Sequence, residues 1–241
     1  MAESGQTRAR EMMAGGPHLC PNAETRGSIL SKVADRLAAV SPSRVYPAAV
    51  ELYRQGAAAD EVLFVERGLV KLTRSEPDGQ EFIADLRFAG SLLGGATVIA
   101  RARHPLSAVT LVRSHLRRVE AKVFCRLLQT DISFSWHVHQ LTCHEISHHI
   151  SRITQLGCLS ARQRLEQLFS QLIAAGDAEG RRRNVLVRVP FKHWEVAQFI
   201  AVTPAYLSRL LNQLELEGVV RRDRKAFAIP DPQRLWRWES A

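Results

Sequence analysis

Near Ala121 the hydrophobic pattern of the chain changes period, and that change restricts the fold more than any other feature. Before it, short β-type runs at 50–53, 62–65, 69–73, 82–86, 108–112 and 116–119 are separated by Gly56, Gly68, Pro77-Asp78-Gly79, Gly90 and Gly94-Gly95. Short strands at such spacing with glycine turns predict an antiparallel barrel or sandwich. After it, Ile132, His139, Ile146 and Ile153 recur every seven residues, with Trp136, Cys143 and Ile150 beside them. A heptad stripe sustained over three repeats predicts a long helix whose apolar side forms a dimer seam; packing on its own barrel is the alternative. The class is therefore α+β.

Smaller elements flank these two. A helix is predicted over 28–39, with Ile29, Val33, Leu37 and Val40 on one stripe. Gly157 is expected to end or hinge the long helix, and a second helix should run over 160–174. A polar basic loop at 176–183 and a strand at 185–189 follow. The division expected is a flexible tail at 1–27, a sensory barrel with flanking helices at 28–129, a dimerisation helix at 130–157 and a last domain at 158–241.

Charge points to the last domain. The 241 residues carry a net charge of +9, which favours a polyanionic partner, nucleic acid more often than an anionic membrane. Twelve Lys and Arg against six Asp and Glu fall between Arg181 and Ala241, two thirds of the excess. No apolar stretch reaches the ~18 residues of a membrane span, and the N-terminus lacks a secretory apolar core. A cytoplasmic protein is expected. Cys20, Cys125, Cys143 and Cys158 are far apart, which predicts reduced thiols rather than disulfides or a zinc ribbon.

Within this basic quarter, "AVTPAYLSRLLNQLELEGVV" (201–220) follows a short helix over 192–200. Ala201-Val202 makes a tight turn, Thr203 caps the next helix, and Pro204 suits its first position because no N–H is needed there. Leu207, Leu210, Leu211 and Leu214 face inward. The opposite face offers Ala205, Tyr206, Ser208, Arg209 and Asn212, the pattern of a recognition helix in a major groove, where Arg reads guanine through two hydrogen bonds. After Gly218, "VVRRDRKAFAIP" reads as a hairpin with Arg221, Arg222, Arg224 and Lys225 at its tip. Lys192, this wing and Arg181–Arg183 would hold phosphates. The competing reading is an amphipathic helix pair with a solvated basic loop.

Barrel, heptad helix and winged helix-turn-helix together resemble the CRP/FNR family of bacterial transcription regulators. The likeness spans about 28–240 and is good at "RQGAAADEVLFVERGLVKL" (54–72) and "VTPAYLSRLLNQLE" (202–215). It implies a jelly-roll, cyclic-nucleotide-binding-like barrel and a homodimer that binds double-stranded DNA, with RNA polymerase as a protein partner. Arg209 matches the family's guanine-reading arginine and Thr203 a phosphate-contacting position. Pro204 and Ala205 stand where relatives often carry Arg and Glu. Relatives that bind cyclic nucleotides have a Gly-Glu pair and, ten residues later, an Arg-Ser pair. The matching effector pocket here comprises Leu92, Leu93, Gly94, Gly95, Leu106 and Ser107, with Gly95 in the Glu place and Leu106 in the Arg place. A phosphate would lose hydration there with poor compensation, so cyclic AMP is not expected to bind, although Arg101 or Arg103 could substitute. An iron–sulfur cluster is not expected either, because Cys20 alone lies in the tail. The effector, if any, is unknown from sequence.

One motif competes. His144-Glu145-Ile146-Ser147-His148 fits H-E-x-x-H, the zinc-protease helix, with Glu166 downstream as a third ligand. Five of the nine histidines fall between 137 and 149, so a chance match within a His-rich seam is the plainer reading, and no metal is expected. His139, His144, His148 and His149 could alternatively titrate at the seam or bind metal or haem, with solvated helix-face histidines as the plain case. A metal-dependent hydrolase and a ligand-binding or protein-interaction module that does not bind DNA are the alternatives to a regulator.

Overall fold

The computed structural model describes residues 23–79, 81–176, 184–223 and 226–235. Helix α1 (Ala23–Ala38) starts earlier than its periodicity predicts, and buries Ile29, Val33 and Leu37. Val40 lies beyond its end and is exposed.

Eight strands form two antiparallel sheets. The first has the order β1-β8-β3-β6, from Ser43–Tyr46, Ser114–Glu120, Glu61–Arg67 and Leu92–Leu93. The second has the order β2-β7-β4-β5, from Glu51–Tyr53, Ser107–Thr110, Leu69–Ser75 and Glu81–Phe88. Leu63, Val65, Leu93 and Leu116 of the first face Leu52, Val70, Leu72 and Ala108 of the second in one buried cluster. Among the described residues no ladder closes the two sheets into a barrel, so the sandwich form of the expectation holds. The strand at β1 escaped sequence reading because its residues are exposed or half-buried, with no apolar alternation. Gly68 turns β3 into β4 at φ 115°, and a Cβ there would lie 2.2 Å from Ser114 Oγ, so only glycine fits.

After β6, Gly94 in the left-handed region (φ 76°) starts a short helix, α2 (Gly95–Ile99). Beyond β8 the helical stretch is divided. α3 (Ala121–Thr130) ends at Asp131, whose carboxylate caps α4 (Ile132–Cys158) by accepting from the Phe134 N–H at 3.0 Å and also pairs with Arg36. Phe134, Val138 and Leu141 of α4 pack with α1, Phe124 of α3 and the outer side of the first sheet. The opposite side of α4 is left in solvent. Gly157 does not break the helix; the helix runs on to Cys158 and the break comes at Leu159.

Ser160 begins α5 (Ala161–Ala175) through a capping box with Gln163. β9 (Val185–Arg188), α6 (His193–Phe199), α7 (Pro204–Leu216), β10 (Arg221–Asp223) and β11 (Ala226–Ile229) follow, with sheet order β10-β11-β9, and a 3-10 turn at Pro232–Arg234 comes after them. Their core is continuous with Leu69, Ile83 and Leu86 of β4 and β5, so the last domain is docked on the second sheet.

Candidate nucleic-acid interface

The interface begins with α6. Glu195 accepts from the Lys192 N–H at 2.7 Å, which satisfies one free donor at the helix start. Its other oxygen meets Lys71 Nζ of β4 at 2.6 Å, a pair almost wholly buried. Gln198 Oε1 accepts from the Ile83 N–H of β5 at 3.2 Å. These contacts fix the inner side of α6 to the sheet. Ala201 then takes φ 54°, a conformation costly for a side chain with a Cβ and cheapest for a small one, and the chain reverses.

Thr203 Oγ1 accepts from the Tyr206 N–H at 3.3 Å, and Pro204 occupies the first turn of α7, as the sequence predicts. Leu207, Leu210, Leu211 and Leu214 are all buried, in the cluster that holds Val196, Ala197, Phe199 and Ile200. The outer face carries Thr203, Pro204, Ala205, Tyr206, Arg209 and Asn212, each exposed. The Arg209 guanidinium lies 5.3 Å from the Tyr206 ring centroid, a cation–π contact that limits its rotamers. Ser208 is half-buried: its hydroxyl is 3.1 Å from Pro204 O and 3.4 Å from His193 Nε2.

Three features of this surface were missed in the sequence. His193 and Trp194 are exposed at the start of α6, with His193 beside Ser208, yet helical periodicity gives them no outward sign. Arg222 is engaged within the protein: Nη2 donates to Asn212 Oδ1 at 2.6 Å, and the backbone N–H donates to Glu215 Oε1 at 3.1 Å. The wing is thus tied to the recognition helix through two residues that the sequence assigned to DNA. Arg221 is exposed. Arg224, Lys225, Arg181–Arg183 and Cys20 lie outside the described residues.

Along α4 the heptad positions are bare. Ile132, Trp136, Ile146, Ile150 and Ile153 are 86%, 64%, 55%, 59% and 70% exposed, with His139 and Cys143 exposed between them. They form an exposed, largely apolar stripe along one side of α4, interrupted by His139.

The effector region is apolar and close-packed. Leu92, Leu93, Gly95 and Ser107 are buried, while Gly94 and Leu106 are half-buried. A Cβ on Gly95 would lie 2.9 Å from Leu92 Cδ2. Leu106 packs against the inter-sheet core, and the Ser107 hydroxyl accepts from the Gln55 N–H at 2.9 Å. Arg101 and Arg103 line an open groove of about 730 Å³ between α2 and α3, together with Lys122, and neither Leu106 nor Ser107 belongs to it.

The H-E-x-x-H residues do not converge on a metal. Glu145 pairs with Arg87 of β5 at 3.1 Å, and His148 Nε2 lies 3.0 Å from Asp85 Oδ1. Glu166 is held by Arg162 at 2.8 Å on α5. Among the described residues, no group of three or more His, Cys, Asp or Glu is arranged to hold a metal ion. None of their helices is long and apolar enough to cross a membrane.

The exposed, capped α7 over a leucine core, with its basic wing, defines a winged helix-turn-helix on a two-sheet domain of cyclic-nucleotide-binding type. Comparison with known proteins agrees. Residues 43–131 match the family described as Cyclic nucleotide-binding domain, and residues 163–238 match Crp-like helix-turn-helix domain. The chain is 25% identical over 240 residues to a probable transcriptional activator of Rhizobium leguminosarum bv. viciae, covering 97% of this chain and 98% of that one. It is 23% identical over 178 residues to the cyclic AMP receptor protein of Thermus thermophilus, covering 74% and 79%. The fold is similar to that of FixK2 from Bradyrhizobium japonicum, with a TM-score of 0.71 at 20% identity over 84% of this chain and 100% of that one. The chain belongs to the CRP/FNR family of DNA-binding transcription regulators.

Proposed function

We propose that the protein acts as a homodimer on a pseudo-palindromic DNA site, with one α7 in each of two major grooves about one helical turn apart. The observation that carries this reading is the pair of exposed surfaces on one chain: a recognition helix and an apolar heptad stripe that needs a second copy to cover it. Arg209 reads guanine, with Tyr206 at its side. Thr203, Pro204, Ala205 and Ser208 approach the groove, while Lys192, Arg221, Arg224 and Lys225 hold phosphates. Arg222 and Asn212 serve the interface by fixing the wing. The sensory and DNA-binding parts divide at 28–129, 130–157 and 158–241, and RNA polymerase is the protein partner. No catalysis is part of this reading.

Cyclic AMP does not control this protein. Supporting that view, Gly95 offers no carboxylate to a ribose hydroxyl, and Leu106, packed against the inter-sheet core, offers no charge to a phosphate. Calorimetric titration with cyclic AMP is expected to give no binding heat at physiological concentrations; micromolar affinity would contradict it.

The test of the DNA reading is selection from a randomised duplex pool by the purified protein, with no effector added, followed by sequencing. Enrichment of a two-fold-symmetric site is expected. Binding without sequence preference would oppose it.

A further inference from the structure

Buried charge joins the sheet to the long helix at one place. Asp85 and Arg87 alternate along β5, so both project from the same face, and each is more than nine-tenths buried. Opposite them α4 presents Glu145, His148 and His149, spaced to share one helix face. Arg87 Nη1 donates to Glu145 Oε1 at 3.1 Å, and Arg87 Nη2 lies 3.1 Å from His149 Nε2. Asp85 accepts from His148 Nε2 at 3.0 Å and lies 3.2 Å from Arg87 Nε. Two members of the H-E-x-x-H motif, Glu145 and His148, are thus engaged with β5. One turn further along α4, the Arg152 guanidinium stacks 3.9 Å from the Phe199 ring centroid of α6 and donates to the Phe199 carbonyl. The helix that β5 grips therefore also grips the helix-turn-helix.

We infer that Arg87 is a positioning residue for DNA binding: with Asp85 it clamps α4 to the second sheet and sets the angle at which α4 holds the winged helix. The inference rests on the reading of the protein as a DNA-binding dimer. Buried ion pairs contribute little net stability, because desolvation offsets attraction; what they fix is arrangement.

The chemistry of the clamp makes it sensitive to protons. A guanidinium has donors only, so His149 Nε2 must accept, which places the His149 proton on Nδ1, 3.9 Å from Asp85 Oδ2. Protonating Nε2 sets N–H against N–H and opens the clamp. The groups facing this ring are Asp85 and Arg87 from β5 and His148 on α4; behind them Glu145 pairs with Arg87, the Arg152 charge acts on Asp85, and Tyr53 of β2, whose phenol burial pushes up to about 12, interacts with Arg87 and Glu145. Burial first, and the Arg87 charge second, hold His149 below the ordinary histidine range against the pull of Asp85. The clamp is thus closed at neutral pH and opens in acid, below the ordinary histidine range.

That direction is diagnostic. Acid charges the histidines, and added positive charge by itself strengthens binding to DNA. The clamp predicts the opposite: at constant ionic strength, affinity of the full chain for its selected duplex falls between pH 7.5 and 5.5. His149→Gln, whose amide oxygen can still accept from Arg87, should remove that fall. Arg87→Met should weaken binding at pH 7.5 by about 5- to 150-fold, with Arg87→Lys recovering part of the loss. Independently of DNA, the His149 ring resonance, assigned by H149Q, should titrate below the usual range in the wild type and move back toward it in R87M. Affinity that rises steadily on acidification, an acid fall that persists in H149Q, or a folded R87M with wild-type affinity would each overturn the proposal. If R87M does not fold, H149Q decides. If the wild type binds no duplex, the functional reading fails, and the ring titration still decides whether the clamp exists.

Discussion

Replacing Arg209 by alanine should abolish discrimination between sites while leaving the fold intact. The side chain is exposed, forms no ion pair among the described residues, and lies over the Tyr206 ring, so its loss removes little from the folded chain. A bidentate arginine–guanine contact contributes about 1–3 kcal/mol of discrimination. In a dimer the contact is made twice, so the loss is about 2–6 kcal/mol. At about 1.4 kcal/mol per tenfold, affinity for the selected duplex falls by about thirtyfold to about twenty-thousandfold. Binding to a scrambled duplex should fall far less, because phosphate contacts from Lys192 and the wing persist. Fluorescence anisotropy on both duplexes at one salt concentration measures the difference. Equal loss on the two would refute the assignment of base reading to Arg209.

Other perturbations test the supports of this interface. Ile150→Glu places like charges at the stripe and should give a monomer by sedimentation, with an unchanged circular dichroism spectrum because Ile150 is 59% exposed in the single chain. Glu195→Ala strands Lys71 in a nearly dry site and should cost about 2–4 kcal/mol in urea denaturation, at the low end of buried-pair losses because Glu81 lies 3.6 Å from Lys71. Gly68→Ala drives a Cβ into Ser114 at a positive φ and should lower the melting temperature by several degrees; an unchanged value would contradict the turn geometry. Acid should also destabilise the clamp through Asp85. Burial pushes its carboxyl up, but the His148 hydrogen bond and the Arg87 charge together outweigh that and hold it below the ordinary range. Its contribution to stability is therefore present above about pH 4 and lost as pH falls through the depressed value, which Asp85→Asn should remove from an acid-unfolding curve.

The elements legible in the sequence were those governed by local periodicity and capping. Thr203-Pro204 and the α7 leucines lie where spacing and capping put them, since burial of one helix face determines their order, while the α4 heptad positions share one exposed side of their helix. The two-sheet form, by contrast, depends on which strands pair across the chain, and no local signal separates an open sandwich from a closed barrel. The break at Asp131 was available in principle, because aspartate before an apolar run is a cap signal. The pairing of Arg222 with Asn212 was not: both read only as DNA contacts in the sequence, and the fold alone brings the guanidinium within 2.6 Å of the amide oxygen. The histidines of α4 were ambiguous for the same reason. Their partners Asp85 and Arg87 lie some sixty residues away, and only long-range packing joins them.

The central claim is that two linked recognition helices read one symmetric site. It is tested most directly by titrating the full chain into the selected duplex and into the same duplex with one half-site scrambled. Two chains per intact duplex are predicted, with affinity falling by at least about thirtyfold when one half-site is lost, since that removes one set of base contacts. One chain per duplex, or equal affinity for the two duplexes, would contradict it.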